Sequence, residues 1–274
     1  MGATISVVDR ALGALDRLSP PPPVISSVLV EASGADVSFS RLTRLIEKDN
    51  ILTAAFLQRA NSAIFRGQSS IHSVRQSLTR MGLDEIRSFV LSLSSNSLCP
   101  RAKLPPAFSR KRYARHASTT AVMTGLIERQ LGNPHGSHAD LAALLHDVSR
   151  LLVAMALPEE FSAITERGQW DEARETECLG MNHGELSAIV LRAWKMPPEV
   201  VDAVEGHHVA QPSDLHPNLA AILHAADNFT AAVADPDEPE TAVREAHLLQ
   251  GVGIDAAIPS LLVDFRLQLG RSGA

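Results

Sequence analysis

The sequence predicts an all-α protein in two helical lobes. Apolar residues recur at three- and four-residue steps along most of the chain, the spacing that places them on one face of a helix. Alternating runs rich in valine and aromatic residues, which would indicate strands, are scarce. Glycine, proline and Asp-Asn pairs interrupt the helical runs, so we expect many short helices.

A proline-containing segment at residues 99–106 has the composition of a linker, so we expect an N-terminal helical lobe at 1–104 and a second lobe at 105–274. In the first lobe the spacing predicts helices at about 4–18, 24–33, 38–47, 50–60, 70–80 and 83–95. In the second lobe it predicts helices at about 108–131, 138–156, 159–167, 171–178, 182–194, 197–208, 217–233, 240–250 and 258–269.

Composition narrows the class of protein. The chain has 274 residues, of which 45% are apolar, enough for a sizeable core. No apolar run approaches the ~20 residues that cross a bilayer, and we expect a cytoplasmic protein without a membrane partner. The net charge of −6 argues mildly against nucleic acid as a partner and leaves open a local basic patch that binds it. Cys99 and Cys178 are far apart, so we expect neither a disulfide framework nor a thiolate zinc site.

A histidine and an aspartate stand side by side, His146-Asp147, after the apolar run at 141–145. Both side chains are metal-ligand types. A polar helix end is the alternative interpretation, but a helix C-terminus favours a charged histidine and disfavours an aspartate. His116, in the middle of a predicted helix, is a further candidate ligand; the alternative there is a surface or core histidine.

Candidate partners for this pair follow along the chain, each with a second interpretation. His183 stands at a helix start that Asn182 can cap, where an exposed first-turn histidine is equally plausible. His207-His208 ends a helix, a position that also favours charged histidines; one of the two is enough for a site, and His207 is slightly favoured. Asp227 lies in an apolar helix, where an unpaired carboxylate is costly, so a metal or a buried salt bridge is expected.

Six ordered segments resemble the HDOD family, the HD-related output domain of bacterial signalling proteins. Each segment alone is short, and the ordered set covers about three quarters of the chain. The segments are the Leu-Pro start at 18–23, 45–53, 59–63, 71–83, 144–151 and 183–197.

The resemblance implies an all-helical fold, a regulatory role and a second lobe related to the HD-domain metal-dependent phosphohydrolases. It also implies a ligand set for a divalent transition metal, with one or two ions of Fe, Mn, Ni or Zn, because imidazole and carboxylate ligands suit all four. The positions that match this ligand set are His116, His146, Asp147, His183, His207, His208 and Asp227.

Three departures from the phosphohydrolase pattern weaken the expectation of catalysis. Ser149-Arg150 stands where that pattern has Gly-Lys, and Val209 rather than glutamate follows the His207-His208 pair. No Gly-Tyr-Pro motif follows either. A metal site with weak or absent chemistry agrees with all three departures.

Basic residues precede His116 and could attract a phosphorylated ligand. Arg112 and Arg115 belong to a cluster with Lys103, Arg110 and Lys111, and Arg150 follows the His-Asp pair. A solvated basic helix face is the alternative for the cluster. We therefore expect Arg112, Arg115 and Arg150 as candidate ligand-binding residues.

The sequence favours a regulatory module that binds a signalling protein or a phosphorylated nucleotide. A metal-dependent phosphohydrolase is the alternative, because no position of the ligand set is missing. A homodimer is left open by the sequence.

Overall fold

The computed structural model describes residues 6–18, 20–33, 37–65, 70–98, 104–166, 168–209, 217–233 and 239–272. All regular structure in these ranges is helical, which confirms the all-α class. None of the described helices is both long and apolar enough to cross a membrane.

The first part of the chain forms a bundle of short helices. Helix α2 packs against α3 and α6, and α4 packs against α5. Phe56 of α4 is fully buried and meets the edge of Phe89 in α6 at 5.2 Å between ring centres. These helices are α1 (Val7–Leu12), α2 (Pro23–Ser33), α3 (Phe39–Ile46), α4 (Asn50–Ala60), α5 (Val74–Met81) and α6 (Leu83–Leu98).

The second part of the chain is arranged around one long helix, α7, whose residues 119–128 are buried on all sides. Helices α6, α8, α14 and α16 pack against it. The helices are α7 (Arg110–Gln130), α8 (Ser137–Leu145), α9 (Val148–Ala156), α10 (Pro158–Ile164), α11 (Glu172–Leu179), α12 (His183–Ala193), α13 (Pro198–Gly206), α14 (Leu219–Ala232), α15 (Pro239–Arg244) and α16 (Ile258–Ser272).

The helix expected at 138–156 is interrupted, and this is the difference that matters for the site. Helix α8 ends at Leu145 and α9 begins at Val148. His146 keeps helical backbone angles, whereas Asp147 turns out of the helix at φ −98° and ψ 11°. The apolar pattern continues through the break, so the spacing could not reveal it. The break points both polar side chains into the interior.

A shorter helix than expected is found at the start of the described chain. The helix expected at about 4–18 consists of α1 followed by a 3₁₀ turn at Leu15–Arg17. Gly13 lies at the end of α1, where its low helix propensity favours termination.

The two parts share one buried core. Helix α2 contacts both α6 and α8, and α1 contacts α9. Buried side chains from Ala11 through Leu223 belong to one continuous cluster, and a second cluster joins α7, α14 and α16. The expected linker lies partly in 99–103, outside the described residues, and the domain boundary near 104 stays a prediction.

Candidate metal centre

Four ligand atoms from three parts of the chain converge beside α7. His116 extends from α7, His146 and Asp147 come from the α8–α9 break, and Asp227 extends from α14. Nε2 of His116 lies 2.9 Å from Oδ1 of Asp227 and 3.2 Å from Nε2 of His146. Oδ2 of Asp147 lies 3.5 Å from the His116 nitrogen and 3.6 Å from the His146 nitrogen. We call these four residues the first cluster.

The spacing of these atoms fits a single metal ion. Ligand atoms about 2.1 Å from an ion lie about 3.0 Å apart in an octahedral arrangement and about 3.4 Å apart in a tetrahedral one. The measured separations, each of which involves at least one imidazole nitrogen, run from 2.9 Å, for His116 and Asp227, to 3.6 Å, for His146 and Asp147. Two imidazoles and two carboxylates at this spacing match the donor preferences of divalent transition metals.

Backbone hydrogen bonds orient the rings of His146 and His207 so that their Nε2 atoms face the interior of the site. His146 donates from Nδ1 to the carbonyl oxygen of Ala143 at 2.7 Å. His207 donates in the same way to the carbonyl of Val204 at 2.6 Å. In its neutral form, a ring that donates from Nδ1 carries its lone pair on Nε2, which is how metal-binding histidines are commonly held.

His207 gives the clearest sign of a missing partner. The residue is fully buried, and within the described part of the chain no hydrogen-bond partner lies near its Nε2. A buried polar atom without a partner is costly, so such an atom usually faces an ion or a water. The donor set at this position therefore fits a metal.

Three histidines form a second cluster next to the first. His183, His207 and His208 each offer a nitrogen, and these nitrogens lie within 4.8 Å of one another. Nε2 of His183 is 2.6 Å from Nε2 of His208 and 3.3 Å from Oδ1 of Asp147. Asp147 thus borders both clusters.

A buried glutamate orients His183. Nδ1 of His183 donates to Oε2 of Glu175 at 2.9 Å, and both side chains are fully buried. When Glu175 is ionised, its carboxylate accepts from Nδ1, fixes the ring and leaves Nε2 unprotonated toward Asp147. Asn182 starts α12 with a capping box, in which its side chain accepts from the Glu185 N–H and Glu185 accepts from the Asn182 N–H. The cap fixes the first turn, which carries His183.

Arg150 lies between the two clusters. Its Nη1 is 2.9 Å from Oδ2 of Asp147, and its Nη2 is 2.9 Å from Nε2 of His183. The guanidinium carbon lies 5.1 Å from the centre of the Trp170 ring, a distance at which the ring attracts a cation. The guanidinium is therefore held by a carboxylate, an imidazole and an aromatic ring.

Ser149, which stands where the phosphohydrolase pattern has glycine, connects α9 to α12. Its hydroxyl donates to the carbonyl of His183 at 2.9 Å and accepts from the Ser187 hydroxyl at 3.0 Å. Its backbone N–H donates to the same Ser187 oxygen at 3.1 Å. Both serines are fully buried. The substitution thus gives the core a satisfied polar link directly behind His183.

Two buried carboxylates, Asp147 and Asp227, shift the pKa values in the first cluster. Burial by itself would lower the pKa of His146, but Asp147 and Asp227 outweigh it and raise that pKa to about 9. Burial would raise the pKa of Asp147, yet Arg150 and His146 hold it below its ordinary value. The pKa of Asp227 is held well below its ordinary value by His146 and His116, against the effect of burial. Both carboxylates therefore stay ionised and favour a cation.

In the second cluster the histidines stay neutral. Burial and the nearby Arg150 guanidinium lower the pKa of His183 well below its ordinary value. Burial, with His146 adding to it, lowers the pKa of His207 to about 3. Burial raises the pKa of Glu175 to about 7. Neutral imidazoles are the form that binds metal.

All seven residues proposed as ligands from the sequence lie together, and Arg150 lies among them. His224, one turn before Asp227, donates from Nδ1 to the carbonyl of His207 at 2.6 Å and so supports the second cluster. Arg112 and Arg115 lie exposed near the start of α7.

Sequence reasoning missed three supporting residues, Glu175, Trp170 and Ser187. Glu175 sits among the exposed acidic residues of α11, and its neighbours Glu172 and Glu177 give it no distinguishing local pattern. Only its contact with His183 reveals its role.

Comparison with known proteins shows which family the sequence matches and which solved structures share the fold. The family model for the HDOD domain matches residues 18–210. An uncharacterized protein of Treponema pallidum (strain Nichols) is 22% identical over 245 residues, which cover 85% of this chain and 45% of that protein. The chain thus spans under half the length of that relative.

Solved structures share the architecture. A candidate phosphohydrolase from Shewanella amazonensis SB2B has a TM-score of 0.66 at 20% identity. The match covers 96% of this chain and 95% of that one. An HDOD domain protein of unknown function from Geobacter sulfurreducens has a TM-score of 0.65 at 20% identity, with 97% of each chain covered. At these identities the likeness concerns the fold. Because the family model matches well over half of the residues, the chain belongs to the HDOD domain family.

Proposed function

We propose that this HDOD protein is a regulatory module that binds a signalling protein or a phosphorylated nucleotide and keeps a metal centre with little or no hydrolytic activity. The observation that carries the proposal is the convergence of four ligand atoms in a site that Arg150 partly closes. The ion is a divalent transition metal, because its ligands are imidazoles and carboxylates.

In this proposal the residues of the first cluster bind the ion and hold three helical segments together. His116 and Asp227 connect α7 to α14, and His146 with Asp147 fixes the α8–α9 break between them. When bound, such an ion supplies Lewis acidity and a positive charge that phosphoryl oxygens favour. The second cluster contributes three further imidazoles beside it.

Limited access argues for weak catalysis. His146, His183 and His207 are fully buried, whereas the side chains of His116 and Arg150 are 19% and 21% exposed. A ligand that approaches from solvent would therefore meet these two side chains before the buried ligand atoms. Arg150 also engages Asp147 and His183, the side chains that a hydrolytic site would need to leave available.

The test is turnover of simple phosphoesters by the full chain after loading with Mn²⁺ or Fe²⁺. We expect no hydrolysis of p-nitrophenyl phosphate or bis(p-nitrophenyl) phosphate above the rate of an Asp147→Ala variant. Turnover that Asp147→Ala abolishes would contradict the regulatory proposal.

A metal-dependent phosphohydrolase is the second candidate, favoured by the complete set of seven ligand residues. In that case His116, His146, Asp147 and Asp227 hold one ion, and His183 with His207 serves a second. Protein that binds no transition metal, and gains no activity from added manganese or iron, would rule this candidate out.

A further inference from the structure

The net charge of −6 averages two oppositely charged parts of the chain. Residues 37–115, the basic segment, contain 14 arginines and lysines against 4 aspartates and glutamates, a net charge of +10. Residues 116–274 contain 9 against 23, a net charge of −14. Such an asymmetry indicates an anionic partner for the basic part. We propose that the basic segment is an interaction surface for the phosphate backbone of nucleic acid, a role independent of the metal centre.

Most of the acidic side chains in the basic segment are already engaged by the protein itself. Glu85 is buried and lies 2.8 Å from the guanidinium of an arginine in α4. Asp49 accepts a backbone N–H at 2.8 Å and so caps α4. Asp84 pairs with Arg129 of α7 at 2.6 Å. The fourth, Glu47, is exposed after α3. Little negative charge is therefore left to offset the exposed cations of this segment.

Basic side chains of the segment extend into solvent from three helices. Arg44 lies in the last turn of α3 and Lys48 in the turn that follows it. Arg75 lies in the first turn of α5, which packs against α3. Lys111 and Arg112 lie in the first turn of α7. All five side chains are exposed, so they present positive charge to a partner in solution.

A chain of phosphates suits this distribution of charge. Duplex DNA carries one charge per about 1.7 Å of its axis, and each cation that neutralises a phosphate releases condensed counterions. A protein partner would instead call for a contact centre that is depleted of charge and rich in large apolar or aromatic side chains. Among the described residues of the basic segment, Phe39 and Ile51 are the exposed large apolar side chains, too few for such a centre.

The experiment measures binding of the full chain to labelled duplex DNA and to labelled single-stranded RNA by fluorescence anisotropy, from about 50 to about 200 mM salt. Five phosphate contacts predict a slope of log K against log salt of about −4.5 for the duplex and about −3.5 for the single strand. Duplex affinity should then fall about 500-fold over this range. The arm that binds more tightly identifies the source of the phosphate chain. Absence of binding to both at the lowest salt would overturn the proposal.

Neutralising the exposed cations of α3 and α5 tests where the contact lies. In the triple variant Arg44→Gln, Lys48→Gln and Arg75→Gln, we expect affinity at about 50 mM salt to fall at least about 100-fold, because each lost contact costs about tenfold at that salt. The slope for duplex DNA should become shallower by about 2.7. Unchanged affinity and slope in this variant would contradict the proposal.

A second triple variant removes the same amount of charge from the acidic part of the chain. Arg174→Gln, Arg192→Gln and Lys195→Gln change exposed residues of α11, α12 and the turn after α12. We expect this control to bind nucleic acid as wild type does. A loss equal to that of the first triple variant would mean that net charge, and not the basic segment, governs binding.

Amine-reactive labelling gives a readout that needs no variant. The chain has four lysines, of which Lys48 and Lys111 are exposed in the basic segment and Lys195 is exposed in the acidic part. Bound DNA should protect Lys48 and Lys111 from the reagent and leave Lys195 reactive. Equal labelling of all three with and without DNA would refute the contact.

Polyglutamate and vesicles that contain phosphatidylserine distinguish nucleic acid from an acidic protein and from a membrane surface. We expect neither to displace bound DNA when both are present at the same concentration of negative charge. Displacement by polyglutamate would assign the basic segment to an acidic protein partner, and displacement by the vesicles would assign it to a membrane. Either result would overturn the proposal.

Discussion

At the residue scale, some residues of the site could be predicted from the sequence and others could not. Histidine and aspartate in an apolar context were recognisable because their burial without partners is costly. His146 and Asp227 were found in this way. Glu175 was not, because its helix is otherwise acidic and exposed, and only its contact with His183 distinguishes it.

Ser149 offers a direct test of the polar link behind His183. Ser149→Ala removes the hydroxyl that donates to the His183 carbonyl and leaves that carbonyl and Ser187 short of a partner in a buried setting. We expect the free energy of unfolding to fall by about 1–3 kcal/mol, measured by urea denaturation.

The control for this prediction is Ser162→Ala, which removes an exposed hydroxyl bonded to its own helix. That change should stay within about 0.5 kcal/mol. If Ser149→Ala were as mild as Ser162→Ala, the buried link would contribute nothing to stability.

At the element scale, helical spacing located nearly every helix because each buries one apolar stripe against its neighbours. The cap at Asn182 was also predictable, since it precedes the first turn of α12. The break at His146-Asp147 was not, because α9 resumes the same apolar pattern with Val148 and Leu151. The polar contacts of the site, rather than local propensity, set that break.

The α12 cap connects helix formation to the site. Asn182→Ala removes the side-chain acceptor for the Glu185 N–H, so we expect a loss of about 1 kcal/mol in the free energy of unfolding. Urea denaturation measures it.

Asn50→Ala is the matched control for this change, because Asn50 is exposed in the first turn of α4, whose cap is Asp49. A loss for Asn50→Ala equal to that for Asn182→Ala would mean that the cap has no specific effect.

At the scale of the whole molecule, the metal centre joins helices that are distant in the chain. His116 and Asp227 are 111 positions apart, and their contact fixes α7 against α14. The all-helical class and the family could be inferred from the sequence, whereas the contact of the two parts through α2, α6 and α8 required the packed structure. A ligand that binds the folded state alone stabilises the whole fold.

Removal of the ion should therefore lower the melting temperature. Metal at about 100 times its dissociation constant contributes about 2.7 kcal/mol, and a chain of this size shifts by about 2–4 °C per kcal/mol. We expect a chelator to lower the melting temperature by about 5–10 °C in a thermal scan. In Asp147→Asn the chelator should cause no shift, and an equal shift in that variant would place the ion elsewhere.

The most direct test of the metal centre is anomalous X-ray scattering at the absorption edge of the metal, from crystals of the full chain loaded with Mn²⁺ or Zn²⁺. We expect a peak about 2.0–2.2 Å from Nε2 of His116 and His146 and from the Asp147 and Asp227 carboxylates. No peak among these four side chains, or a peak only at another part of the molecule, would contradict this expectation.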